Sequence, residues 1–146
     1  MNIFRSIDIS TTALTAEKTR IDIIAKNMAN ANTTRTTGGT PYRRQMVVFE
    51  ENNTTPFSKY LDKHLNKING NGVKISRIVE DESPFKLVYE PGHPDADENG
   101  YVKMPNVDIM KEMVDLISAQ RSYDANITAI NTSKSMLMKA LEIGRR

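Results

Sequence analysis

The residues best suited to chemistry lie in the stretch from His93 to Gly100. Asp95, Asp97 and Asn99 alternate along it and Gly100 follows, which is how a calcium-binding EF-hand loop begins. Alternate side-chain oxygens would converge on one cation there, and Val102 suits the eighth position. The twelfth position, however, is Asn106 where a bidentate Glu belongs, and no helix signal precedes Asp95. The better reading is an acidic turn in which Gly100 permits the chain to reverse. His64 and His93 are the two histidines, and neither stands at a zinc-type spacing from another ligand. His93 with Asp95 and Asp97 offers at most an adventitious metal site.

Other chemistries find less support. With no cysteine, thiolate metal sites, disulfides and Cys nucleophiles are excluded. The run Glu80-Asp81-Glu82 reads as a solvated loop rather than an acid–base pair. There is no G-x-S-x-G context for a nucleophilic serine, and Gly70-Asn71-Gly72 lacks the Lys and following helix of a phosphate loop. The sequence therefore assigns no catalytic residue, no metal, no cofactor and no small-molecule substrate.

The elements that would have to position any site point elsewhere. The chain has 146 residues, of which 38% are hydrophobic and 6% aromatic, with no Trp, which is lean for a self-sufficient globule. Its net charge of +2 balances 20 basic against 18 acidic residues, giving little drive toward nucleic acid or an acidic membrane. The N-terminal residues have no continuous apolar core of a cleavable signal peptide, and no stretch approaches the roughly 20 apolar residues of a membrane span.

The pattern is helix, β-rich middle, helix. Ile3, Ile7, Ser10, Leu14, Glu17, Ile21, Ile24 and Met28 alternate steps of four and three, and the row Ile7, Leu14, Ile21, Met28 is wholly apolar. Asn2 is the expected N-cap of a helix over residues 2–30, about 43 Å long. The last segment repeats the pattern through Ile109, Met113, Leu116, Gln120, Tyr123, Ile127, Ile130, Lys134, Leu137 and Leu141. Met110, Val114 and Ile117 widen its stripe. Pro105-Asn106 supplies a start with Asn106 as N-cap, Asp108 and Glu112 favour the positive helix end, and Gly144-Arg145-Arg146 is a stop. Between the helices, residues 33–40 form a Thr/Gly-rich loop. Strands are expected at Arg44–Phe49, Val73–Val79, Phe85–Tyr89 and Tyr101–Met104, and a short helix around Tyr60–Ile68.

This predicts an α+β chain with three parts: residues 1–32 and 106–146 as paired, coiled-coil-like assembly helices, and residues 33–105 as a connecting loop and small β-rich domain. A narrow apolar stripe must find a partner, because a lone amphipathic helix in water is marginal. The nearest partner is the other end helix, and a weak register signal sets Glu17 opposite Lys134 and Met28 opposite Tyr123. Two helices bury only one seam each, so further subunits would complete the packing and the ends would be loose in the monomer.

Residues 27–49, NMANANTTRTTGGTPYRRQMVVF, resemble the signature of the flagellar basal-body rod and hook proteins. Ala29, Asn30, Asn32 and Thr33 match its Asn-Thr turn, and Tyr42, Arg44 and Gln45 its Tyr-x-Arg-Gln strand. Residues 106–126 resemble the C-terminal helix of the same family through Asn106, Val107, Asp108, Glu112, Met113, Ala119, Gln120, Arg121, Tyr123, Ala125 and Asn126. One departure is the loop TRTTGGTP, inserted before Tyr42. That loop and residues 91–108 are similar to a proximal-rod member of the family. The resemblance implies a structural, non-enzymatic subunit of the proximal rod, which transmits torque through the periplasm. It also implies export by the flagellar type III apparatus without a cleaved signal peptide. Homo- and hetero-oligomeric contacts with other rod proteins and the basal ring would follow, with Gln120 and Arg121 placed for hydrogen bonds between subunits. The alternative reading is a secreted adaptor that binds one partner through a helical hairpin.

Overall fold

The computed structural model describes residues 3–52 and 72–144. The element order is α1 (Ile3–Ala29), β1 (Gln45–Glu51), β2 (Val73–Glu80), β3 (Lys86–Tyr89), β4 (Tyr101–Met104) and α2 (Ile109–Gly144). The α+β class, the two long end helices and the four strands agree with the sequence pattern, within a residue or two at most ends. The expected cap at Asn2, the short helix at Tyr60–Ile68 and the arginines after Gly144 lie outside the described residues. No helix among the described residues is long and apolar enough to cross a membrane.

α1 runs without Gly or Pro and ends where side chains begin to compete for its backbone. The Asn30 backbone N–H and its Nδ2 both donate to the Lys26 carbonyl, at 3.1 and 2.9 Å. Thr33 N–H then donates to the Asn30 carbonyl at 3.1 Å, and the Thr33 hydroxyl lies 3.2 Å from Asn30 Oδ1. The Thr/Gly loop is closed at its base by Tyr42 N–H on the Thr33 carbonyl. Gly39, at φ +75°, makes its turn.

β1 and β2 form one two-stranded sheet, bracketed by Asp81 N–H on the Arg44 carbonyl and Asn52 N–H on the Gly72 carbonyl. β3 and β4 form another, antiparallel, with Leu87 opposite Lys103 and Tyr89 opposite Tyr101. Strand alternation splits this hairpin into a face with fully buried Val102 and a face carrying exposed Leu87, Tyr89 and Tyr101. The Tyr89 and Tyr101 rings meet edge to face, 5.3 Å apart. The connecting loop is the acidic turn expected from sequence. Asp97 Oδ1 accepts from Asn99 N–H and Tyr101 N–H, each at 2.9 Å, and Gly100 sits at φ +80°. Asp95 accepts from the Thr34 hydroxyl at 2.8 Å and faces Arg35 at 3.9 Å.

One sequence expectation is corrected at the start of α2. The cap is Asp108, not Asn106: Asp108 Oδ1 accepts from Met110 N–H at 3.0 Å and Lys111 N–H at 3.4 Å. Asn106 is drawn away into bonds described below.

Packing divides the chain into two compact units. The first gathers Met1–Lys18, Phe49–Ser76 and Gln120–Arg146, and the second Thr19–Val48 and Arg77–Ala119. Within the second, Ala31, Tyr42 and Val107 form a buried apolar cluster.

Along α1 the stripe read from the sequence faces inward. Ser10 and Ile24 are buried, and Ile7, Leu14, Glu17, Ile21 and Met28 are half-buried. On α2 the apolar row Leu116, Tyr123, Ile130, Leu137 is likewise half-buried. Its companion row differs from the expected one. Ile109, Met113, Gln120, Ile127, Lys134 and Leu141 are exposed, while Glu112, Ala119 and Ser133 are buried and Asn126 is half-buried. The covered face is thus set one residue earlier, on small and polar side chains.

Candidate functional site

Among the described residues, a dense set of bonded side chains converges in the second unit, around Asn27. It lies on the last turns of α1, only 1% exposed. A buried amide is costly unless both donors and its acceptor oxygen find partners. Asn27 satisfies the full set. Its Nδ2 donates to the Gln45 carbonyl at 2.8 Å and to Glu112 Oε2 at 3.0 Å. Its Oδ1 accepts from the Tyr42 hydroxyl and from Gln45 N–H, both at 2.9 Å. One side chain therefore joins a helix, the approach to β1, the first residue of β1 and the second helix.

Glu112, on the first turn of α2, is the other centre and is wholly buried. Its Oε2 takes the Asn27 amide and its Oε1 takes Arg44 Nε at 2.6 Å. The short, charge-assisted contact is the kind a buried carboxylate requires. Arg44 also reaches Asp115 Oδ2 at 3.3 Å and Asp81 Oδ2 at 3.8 Å. A single guanidinium thus ties α2 to the segment after β2. Lys26 Nζ adds a bond to Gln45 Oε1 at 3.0 Å.

Asn106 completes the clasp from the opposite side. Its Oδ1 accepts the Arg44 backbone N–H at 2.9 Å, and its Nδ2 donates to the Asp81 carbonyl at 2.9 Å and to Ser83 Oγ at 3.0 Å. This is why it does not cap α2. Arg43 donates to the Asp81 carbonyl at 3.0 Å and lays its guanidinium over the Phe85 ring, 4.4 Å from the centroid.

Two groups of the clasp titrate away from their ordinary values. Burial pushes the Tyr42 phenol up, helped by the charges of Glu112 and Glu80. Asp81 is held low, first by hydrogen bonds from the Ser83 N–H and hydroxyl; burial, next in size, pushes it up, and the charges of Arg44 and Lys111 lower it further.

Of the residues singled out from sequence, Tyr42, Arg44, Gln45, Asn106 and Glu112 are brought together here. Asn30 and Thr33 shape the end of α1 beside it. Asp108 caps α2, and Asn126 donates to its own helix at Ser122 O. Ala29, Asn32 and Arg121 are exposed. The sequence reading did not single out Asn27 as the hub and took Asp81 for a solvated loop residue. A signal for Asn27 existed: it sits three residues after Ile24 on the covered side of α1. The weak register of Met28 with Tyr123 is also corrected, because the Asn27–Glu112 bond sets the end of α1 against the start of α2.

Comparison with known proteins places these residues in a family. The family model described as flagella basal body rod protein matches residues 7–35, and that of the flagellar basal body rod FlgEFG protein C-terminal region matches residues 98–143. The flagellar basal-body rod protein FlgC of Bacillus subtilis is 50% identical, with 99% of this chain and all of the relative aligned. FlgC of Borreliella burgdorferi is 47% identical over 98% of both chains. FlgC of Salmonella typhimurium is 46% identical over 99% of this chain and 98% of the relative. The chain belongs to the flagellar basal-body rod family, in the group whose curated members are called FlgC.

Proposed function

We propose that this chain is a structural subunit of the flagellar basal body that polymerises in the proximal rod. Its end segments, residues 1–32 and 106–146, serve as the assembly domain, and residues 33–105 as a small body carried on them. Other rod proteins and the basal ring are its neighbours. It reaches them through the flagellar type III apparatus, keeping its N-terminus, and works in the periplasmic part of the rod. The role is mechanical, and no catalytic step is assigned to it.

The observation that carries this reading is the apolar surface left on the helices. Met110 is 72% exposed, Val114 66% and Leu141 65%, with Phe4, Ile117, Ile127 and Ile143 also exposed. Isolated exposed hydrophobes are ordinary, but a succession along a helix marks an interaction surface. Ile109, Met110, Met113, Val114 and Ile117 recur at helical spacing on the first turns of α2. A rigid rod requires such surfaces on every subunit, whereas the polar clasp holds the subunit itself.

Val114→Asp tests this. The free chain should fold with stability within about 0.5 kcal/mol of the parent, as is usual for exposed positions. A strain lacking the natural chain and given this variant should stay non-motile, without rods. Full motility with the variant would defeat the proposal.

A further inference from the structure

A second, much smaller contact between a helix and a strand end lies in the first unit, away from every motif residue. Thr12, on α1, donates its hydroxyl to the Ile9 carbonyl at 2.7 Å, which fixes the side-chain rotamer. The same oxygen accepts Val73 N–H, the first amide of β2, at 3.1 Å. Gly72 precedes it at φ +79°, and a Cβ there would collide with Thr12 Oγ1. The Gly72 carbonyl meanwhile takes Asn52 N–H at 3.0 Å, closing the end of the β1–β2 sheet. A glycine is required here twice over, for its backbone conformation and for the close approach. The buried side chains of the first unit among the described residues, Ser10, Ala16 and Ser133, are all small. Among the described residues, then, no large apolar side chain of this unit is fully buried.

We infer that Thr12 is a positioning residue, whose hydroxyl, admitted by the absent side chain of Gly72, fixes how the first half of α1 is held against the end of the β1–β2 sheet in the free subunit. It thereby sets the direction in which the exposed Phe4 and Ile9 are offered to a neighbour. The consequence for assembly rests on the function proposed above, but the contact does not.

Hydrogen exchange of the full-length free chain, followed by mass spectrometry, tests it. Thr12→Val keeps the shape and the β-branch and removes the hydroxyl. Exchange in residues 4–18 and 72–76 should rise about fivefold, the effect of one lost hydrogen bond. Residues 42–48 should exchange as in the parent, and Thr12→Ser, which restores the hydroxyl, should return the first unit to parental protection. Gly72→Ala should loosen the same peptides, and adding Thr12→Ala should recover part of that loss, because the blocking oxygen has gone. Unchanged exchange in Thr12→Val, equal loosening of residues 42–48, or full additivity of Gly72→Ala with Thr12→Ala would each overturn the inference. All these readouts are taken without assembly, so they are independent of the motility test of Val114→Asp.

Discussion

The two compact units are held in opposite ways. The second buries Asn27, Glu112, Tyr42 and Val102 and satisfies its polar groups from within. The first buries only small side chains among its described residues and exposes Phe4, Ile9, Leu141 and Ile143. Its contact between helix and sheet end passes through the Thr12 hydroxyl. The contrast teaches that one chain can carry a region fixed from within by a polar network beside a region that buries little, while both leave apolar side chains exposed, Met110 and Val114 in the second unit and Phe4 and Leu141 in the first. A buried, fully bonded polar network specifies a single arrangement, because each partner removed leaves an unpaired group behind. A face of exposed methyls specifies little until something packs on it.

The sharpest way to break this comparison is Glu112→Ala. It leaves Arg44 Nε and one Asn27 amide hydrogen without their partner in a buried site, and a loss of about 3–5 kcal/mol is expected. Chemical denaturation gives the total, and exchange at residues 42–48 should accelerate far more than at residues 4–18. Equal acceleration in both would show one cooperative body and end the distinction.

A smaller effect is expected from Tyr42→Phe, which removes the bond to Asn27 Oδ1 and should cost about 1–2 kcal/mol. The pH dependence sharpens the same point. The folded state holds the Tyr42 proton more tightly than the unfolded chain, so stability should fall as pH rises beyond the ordinary phenol value of about 10. Asp81 has the opposite sign. Its carboxyl is depressed on folding, so its contribution is present above the ordinary value of about 4 and is lost as pH falls through the lower folded value. Denaturation midpoints across pH should show both edges, and Tyr42→Phe should remove the alkaline one.

The smallest of these effects is expected from Asp108→Ala, at about 1 kcal/mol, from loss of the α2 cap. Asn106→Ala should cost more, because its oxygen and amide serve the clasp. The reverse order in thermal unfolding would restore Asn106 as the cap.

Much of the fold is legible in the sequence. Breaker-free stretches with apolar steps of four and three set both long helices, and the Pro and Gly positions bounded the strands. The clasp was only half legible. Tyr42, Arg44, Gln45, Asn106 and Glu112 stood out because they match a motif, yet nothing in their types shows that they meet one another. Asn27 and Asp81 were missed because a polar residue on a helix or in an acidic run ordinarily signals solvent.

What the sequence determined by itself was the pair of helices, the row Leu116, Tyr123, Ile130, Leu137 and the family motifs. Tertiary structure alone decided which neighbouring row is covered, choosing Glu112, Ala119, Asn126 and Ser133 over Met113, Gln120, Ile127 and Lys134. The two rows differ by one residue, about 100° around the helix, and the more hydrophobic is not the buried one. Small side chains such as Ala119 and Ser133 leave room for close packing, and Glu112 can be buried because Asn27 and Arg44 meet it there. Hydropathy ranks residues one at a time, whereas burial of a charge depends on partners that only the folded chain brings together.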